Sequence, residues 1–329
     1  MNEEKINEFL NSRKCVWLCG AIFVIGSLLA MNTGRFTTTD TGNGVFFSIG
    51  NNLIENPLIS YIVNLACTFA IVALSMSLNK KYGVVRSYTF ISASMFLLLQ
   101  TANPFLSTHF NSGTALCLIA VVLCFILYAS YQLKNTAQRR IFLIFAVLSF
   151  CCMFQYVFLV LVVAFTIGFM QMRAMSTRGW LALMLGIITP FWIAIGLGFV
   201  NPCAATPPQI EAIWDYLQNW QVQLVIGSTV IVALVAIVLM VFDMFTILNY
   251  RLQIRLYNSF LLVLTIASIA MMCVDYRNLL IYVPLLNWCL AIWIAHAFTI
   301  HNEHTRRYIF IAVAVVALLG TFVAHMLAT

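Results

Sequence analysis

Asp275 and Arg277 stand two residues apart in the stretch DYRNLLIYVPLL, between two long apolar runs of a chain in which only 8% of residues are charged. An acid and a guanidinium at that spacing support two chemistries. The pair can close on itself as a structural clip, or Arg277 can offer its planar fork of donors to a phosphate. Arg35, Asp40, Glu55, Glu211 and Asp215 fall on the same side of the membrane in the topology argued below, with His109 nearby. Gathered over the helix ends, Asp40 or Glu55 would serve as the catalytic acid/base on a sugar hydroxyl, or hold a divalent ion. Arg277 and Arg35 would then bind the substrate phosphate, with Asp275 and His109 in support. The competing reading is that these are ordinary loop charges, each solvated where it stands.

The histidines form a second group. His296, His301 and His304 cluster around Glu303, and His301 and His304 are three apart, the spacing of neighbours on a helix face. A metal site needs at least a third ligand and groups that orient it, so these residues read as interface histidines and no metal is indicated. The ten cysteines contain no Cys-x-x-Cys pair, and most sit inside apolar runs as small hydrophobes. Cys203 and Cys273 lie near span ends on the Asp275 side, where a disulfide between them is geometrically open. No cofactor is named by any motif.

The elements that must position these residues follow from composition. Of 329 residues 63% are hydrophobic, and the mean hydropathy is +0.97. Soluble domains run nearer half apolar with about a quarter charged, so the fold class expected is all-α, a polytopic transmembrane helical bundle forming a single integral membrane domain over 1–329. Spans are expected near 15–31, 58–78, 87–102, 113–131, 141–155, 157–172, 180–200, 222–242, 259–274, 279–298 and 308–327. The net charge of +7 then reflects anchoring to anionic lipid rather than nucleic acid. Membrane lipids are the expected partners. The first run, Cys15–Met31, lacks a small-residue cleavage site and reads as a retained span.

The pair 141–155 and 157–172 is decided by charge. As one helix, this stretch would be about 48 Å long at 1.5 Å per residue, and every later loop would change sides. As a hairpin turning near Phe154-Gln155-Tyr156, it leaves only Arg35 and Arg277 of the 17 basic residues outside. The positive-inside bias favours the hairpin, and with it a cytoplasmic N-terminus and an extracytoplasmic C-terminus. Two longer outer segments result, 32–57 and 201–221; Glu211–Gln221 is expected to form a short amphipathic helix with Ile213, Trp214 and Leu217 on one face. Pro190 and Pro284 are expected to kink their helices. Asn64, Ser92, Ser94, Thr189 and Asn287 are expected to join helices by hydrogen bonds. No Lys, Arg, Asp or Glu falls in the middle of an expected span, which counts against ion-coupled transport.

Two resemblances add to this. NPFLSTHFNSGTALCLI, AQRRIFLIFAVLSFCCMFQYVFLVLVVAFTIGFM and RGWLALMLGIITPFW, within 103–192, resemble an uncharacterised family of bacterial inner-membrane proteins of about this size; the likeness implies topology and no mechanism. The stretch DYRNLLIYVPLL, with Asp40 and Glu55 in the first outer segment, is similar to GT-C-type glycosyltransferases, which carry acids in that loop and an Arg ahead of a Pro in a late span. That likeness implies an enzyme of the bacterial cytoplasmic membrane working on a polyprenyl-phosphate-linked glycan or envelope lipid at the outer face. The alternative from the residues is a non-catalytic component or scaffold of an envelope complex; a transporter ranks behind both.

Overall fold

A computed structural model of the chain describes residues 9–33, 44–47, 53–85, 90–132, 136–201, 220–247, 250–300, 314–315 and 317–326. The described residues are all-helical. The elements are α1 (Arg13–Thr33), α2 (Pro57–Tyr82), α3 (Ile91–Ala102), α4 (Pro104–Ser107), α5 (Ser112–Gln132), α6 (Ala137–Phe154), α7 (Leu159–Gln171), α8 (Thr177–Gly196), α9 (Trp220–Ile247), α10 (Leu252–Val274), α11 (Leu279–Ile300) and α12 (Ala317–Met326). Eight of these helices are long and apolar enough to cross a membrane; α3, α7 and α12 are shorter apolar helices in three further expected segments. The chain is therefore a multi-pass membrane protein.

Local chemistry sets the boundaries. The Asn56 side chain accepts from the backbone N–H groups of Leu58 (3.1 Å) and Ile59 (3.4 Å), and Pro57 occupies the first turn, so α2 starts there. Gly83 ends it in the left-handed conformation at φ 63°, which a side chain would resist. Between α6 and α7, Gln155 is extended (φ −151°, ψ 131°) and a 3-10 turn over Tyr156–Phe158 leads into α7. Phe145 and Phe169 then lie 6.1 Å apart across the two helices, so the chain doubles back at the expected residues.

The centre of the bundle is α11. In its most apolar stretch 94% of residues are buried, against 22% for α8, so α11 is walled by protein and α8 faces lipid. It packs on α3, α5, α9 and α10, while α6 pairs with α8, α7 with α10 and α1 with α3. Two close approaches rest on glycine. A Cβ on Gly113 would lie 2.7 Å from the Ile281 carbonyl oxygen, and one on Gly186 would lie 2.8 Å from that of Phe142. Small residues of this kind let membrane helices touch backbone to backbone.

Side-chain contacts distinguish the two ends. Tyr82, Tyr128 and Tyr257 cluster at one, with Tyr128 and Tyr257 stacked at 4.3 Å. Each of these two donates its hydroxyl to the other's carbonyl, at 3.1 and 3.3 Å. The helix termini there carry Lys80, Lys81, Arg139, Arg140, Arg251 and Arg255. The other end carries the start of α11 and the start of α5, as the Gly113–Ile281 approach shows.

Some expectations are corrected. α9 runs to Ile247 rather than ending near 242, because its apolar character continues around one acid. Pro190 and Pro284, expected to kink their helices, both lie inside continuous helices, α8 and α11. Residues 202–219, which hold most of the expected Glu211–Gln221 helix, lie outside the described residues; Trp220 and Gln221 belong to α9.

Candidate functional site

At the Asp275 end, α3 is only twelve residues long and all of them are buried. The chain that follows it is buried too, at Asn103, Pro104, Leu106, Ser107 and Thr108. Buried irregular backbone must have its polar groups satisfied, and named side chains do so. The Asn64 amide, wholly buried in α2, donates to the carbonyls of Leu106 (3.0 Å) and Ser107 (3.1 Å). Its oxygen accepts from the Thr114 hydroxyl at 2.9 Å. Ser60 Oγ accepts from the Phe110 N–H at 2.8 Å, and Asn103 caps α4 through Phe105 N–H at 3.1 Å.

Asp275 sits in the turn between α10 and α11, half-buried. The Asn278 amide donates to both of its carboxylate oxygens, at 3.0 and 3.1 Å, and the buried Tyr282 hydroxyl donates to Oδ2 at 3.0 Å. The residues at i+3 and i+7 thus fall on the carboxylate's own helix face, and the acid clips the start of α11. The backbone of Arg277 lies in the 3-10 turn Tyr276–Asn278; its side chain lies outside the described region, as do Arg35, Asp40 and Cys203.

The other expected site residues are separate. Glu55 is exposed just before the Asn56 cap of α2. His109 is half-buried after α4, and burial lowers its imidazole pKa from the usual value. No hydrogen bond or ion pair links Glu55, His109 and Asp275 among the described residues. The first outer segment does fold inward where it is described: Val45 N–H donates to the Cys152 carbonyl (3.3 Å) and Phe46 N–H to that of Met153 (3.2 Å), at the end of α6.

The helix-joining hydrogen bonds expected of the small polar residues divide. Asn64 and Asn287 bond across helices, and Ser94, whose hydroxyl donates to the Phe90 carbonyl, also meets the Cys15 and Cys19 thiols of α1; the Thr189 hydroxyl donates four residues back, to Leu185. His296 is held by Asn258 Oδ1 at 2.8 Å; His301, Glu303 and His304 lie outside the described residues. Among the described residues no group of three or more His, Cys, Asp or Glu is placed to hold a metal.

Two features were not singled out from the sequence. The first is Asp243, 3% exposed within α9, whose Oδ2 has no hydrogen-bond partner. It stands four residues before the end of α9, so the middle of that span remains without a charged side chain. The only sequence signal was an acid directly after the run LVIGSTVIVALVAIVLMVF.

The second feature is a cleft between α3, α9, α11 and α12, a cavity of about 220 Å³. Its walls are mostly Met, Leu, Ile, Val and Ala side chains, with Asn103, Asn287, Ser228, Thr229 and Thr321 among them. Ile231 and Val235 line it while remaining 60% and 37% exposed, so it opens on the lipid-facing side of α9. Along α11 its walls run from Val283 to Ile294, about 16 Å at the helical rise. A second cavity of about 290 Å³ shares Ser228, Ile231 and Thr321 with it and adds Gln223 and His325. His325 lies 6.4 Å from the Phe105 ring, so the cleft extends toward the Asp275 end.

No family model, curated protein or solved structure matches the chain.

Proposed function

We propose that the protein binds the apolar part of a membrane lipid, or of a lipid-linked envelope substrate, in the cleft between α3, α9, α11 and α12. The observation that carries this reading is the opening of a largely apolar cavity through Ile231 and Val235 onto the hydrocarbon-facing side of α9. An apolar cavity of ~150 Å³ already takes up benzene, and this one is larger. The membrane is the bacterial cytoplasmic membrane, with the N-terminus inside and the C-terminus outside; the grouping of Lys80, Lys81, Arg139, Arg140, Arg251 and Arg255 at one end supports that orientation. The Asp275 end is then the outer face. A GT-C-like transfer from a polyprenyl-phosphate-linked glycan would be carried there by Asp40 or Glu55, with Arg277 and Arg35 on the phosphate.

A second reading, a non-catalytic component of an envelope complex, is favoured by one observation. Asp275 is engaged by Asn278 and Tyr282, as a structural clip would be. Both readings keep the lipid in the cleft.

The test is lipid retention. Wild-type protein and Val232→Trp, which fills the cleft from α9, are purified in parallel and their bound lipids measured by mass spectrometry. Wild type is expected to hold a lipid that the variant loses; equal retention by two folded proteins overturns the proposal.

A further inference from the structure

α6 and α8 lie side by side and run in the same direction. A Cβ on Gly179 would lie 3.2 Å from Ile141 Cδ1, and further along the Ser149 hydroxyl donates to the Ile187 carbonyl at 2.6 Å. The starts of the two helices therefore stand together, at the end of the bundle opposite Asp275. Arg139 and Arg140 fall in the opening turns of α6, and Arg178 in that of α8. Aligned peptides give each helix start roughly half a positive charge. Three guanidiniums thus add to a place that already disfavours cations.

No acid offsets this charge. Neither helix has one in its first turn, and no Asp or Glu occurs between Glu55 and Glu211. Arg139 and Arg178 are exposed and Arg140 is half-buried; among the described residues no ion pair holds any of the three. Lys80 and Lys81, at the same end, differ. They sit in the last turn of α2, where the negative end of the helix favours them.

The surroundings name the kind of anion. Trp180 and Leu181 follow Arg178 and are exposed, as is Leu143 on α6. The surface just beyond the arginines is therefore apolar, with a Trp at the level where headgroups lie. A lipid can lay its chains there; a free anion would leave that surface unused. A zwitterionic headgroup would bring an ammonium against the same positive charges, whereas an anionic phospholipid brings only its phosphate. Guanidiniums suit a phosphate by charge and by their fork of donors.

We infer that the paired starts of α6 and α8 bind the phosphate of an anionic phospholipid. Arg140 and Arg178 hold it with Arg139 beside them, and its chains lie on the apolar outer surfaces of the two helices. The site shares no lining residue with the cleft between α3, α9, α11 and α12 and does not rest on it.

The test is lipid titration of the purified full-length protein in detergent, read by native mass spectrometry. Phosphatidylglycerol is compared with phosphatidylcholine of the same chains, and inorganic phosphate is added as a competitor. Wild type is expected to retain phosphatidylglycerol in preference to phosphatidylcholine by on the order of tenfold, as a pair of arginines at a membrane surface would supply. Arg140→Gln with Arg178→Gln should erase the preference. Lys80→Gln with Lys81→Gln removes the same charge from the same end and should keep it. No preference in wild type, or an equal loss in the two double variants, overturns the inference, the second by showing a diffuse attraction in place of a site. Displacement of the lipid by inorganic phosphate overturns the choice of a lipid as the ligand. Val232→Trp, which fills the cleft, should leave the preference intact, so the two lipid sites stand or fall separately. Thermal unfolding of each variant in the same detergent shows that the comparison is between folded proteins.

Discussion

Tyr282, buried in the first turns of α11, donates its hydroxyl to Asp275 Oδ2 at 3.0 Å across the turn that ends α10. The bond joins two helices by a single side-chain pair, and Asn278 completes the acid's acceptors from the same face. Tyr282→Phe keeps the ring and removes the donor. It is expected to lower stability by about 1–2 kcal/mol, read as a fall in the thermal midpoint in detergent. A variant as stable as wild type would leave the clip without weight.

Gly113 and Ile281 make the second test. A methyl on Gly113 would stand 2.7 Å from the Ile281 carbonyl oxygen, a backbone atom that cannot rotate away. Gly113→Ala is expected to force α5 from α11 and cost about 1–3 kcal/mol. At Gly196 an added Cβ meets nothing within 4 Å, so Gly196→Ala should be neutral or mildly stabilising. Equal midpoints for the two variants would contradict the close approach.

His109 gives a pH dependence whose sign can be worked out. Burial lowers its pKa in the fold below the ordinary imidazole value of 6.5. Above 6.5 the imidazole is neutral in both folded and unfolded chains and contributes nothing to the slope. As pH falls below 6.5 the unfolded chain takes up the proton first, so stability declines until the lower folded pKa is passed. His109→Gln should flatten that part of the stability curve between pH 7 and 5. A slope unchanged by the substitution would assign the dependence to other groups.

Topology is exposed to labelling. If the chain makes the proposed eleven crossings from a cytoplasmic N-terminus, a cysteine placed by Thr329→Cys should react with an impermeant thiol reagent added from outside intact cells. A residue reached only after lysis would put the C-terminus inside and reverse the outer-face assignment.

The helical architecture was legible in the sequence because composition leaves no other class and the apolar runs are long. The turn at Gln155 was legible from charge alone, since a continuous helix would have put Arg173, Arg178, Arg251 and Arg255 on the side of Arg35, against the positive-inside bias. The identity of the central helix was not. A helix facing lipid is as apolar as one facing protein, so α8 and α11 read alike although one is peripheral and the other enclosed. Asp243 was missed because apolar runs were closed at the first acid, whereas α9 carries that acid inside. Asn287 was noted as a helix-joining group; that its oxygen lacks a partner depends on the placement of Leu99, 188 residues away in sequence. The candidate acids and arginines of the outer face were chosen by topology, and only Asp275 acquires partners among the described residues.

Lipid binding in the cleft can be tested most directly by photocrosslinking from two positions on α11. Leu290 and Leu286 are both buried from the surrounding membrane, and only Leu290 lines the cavity. A photoreactive amino acid is placed at one or the other in protein held in native membranes, and adducts are read by mass spectrometry. A lipid adduct at position 290 and none at 286 is the expected result. No lipid adduct at 290, or equal adducts at both, would contradict a lipid-filled cleft.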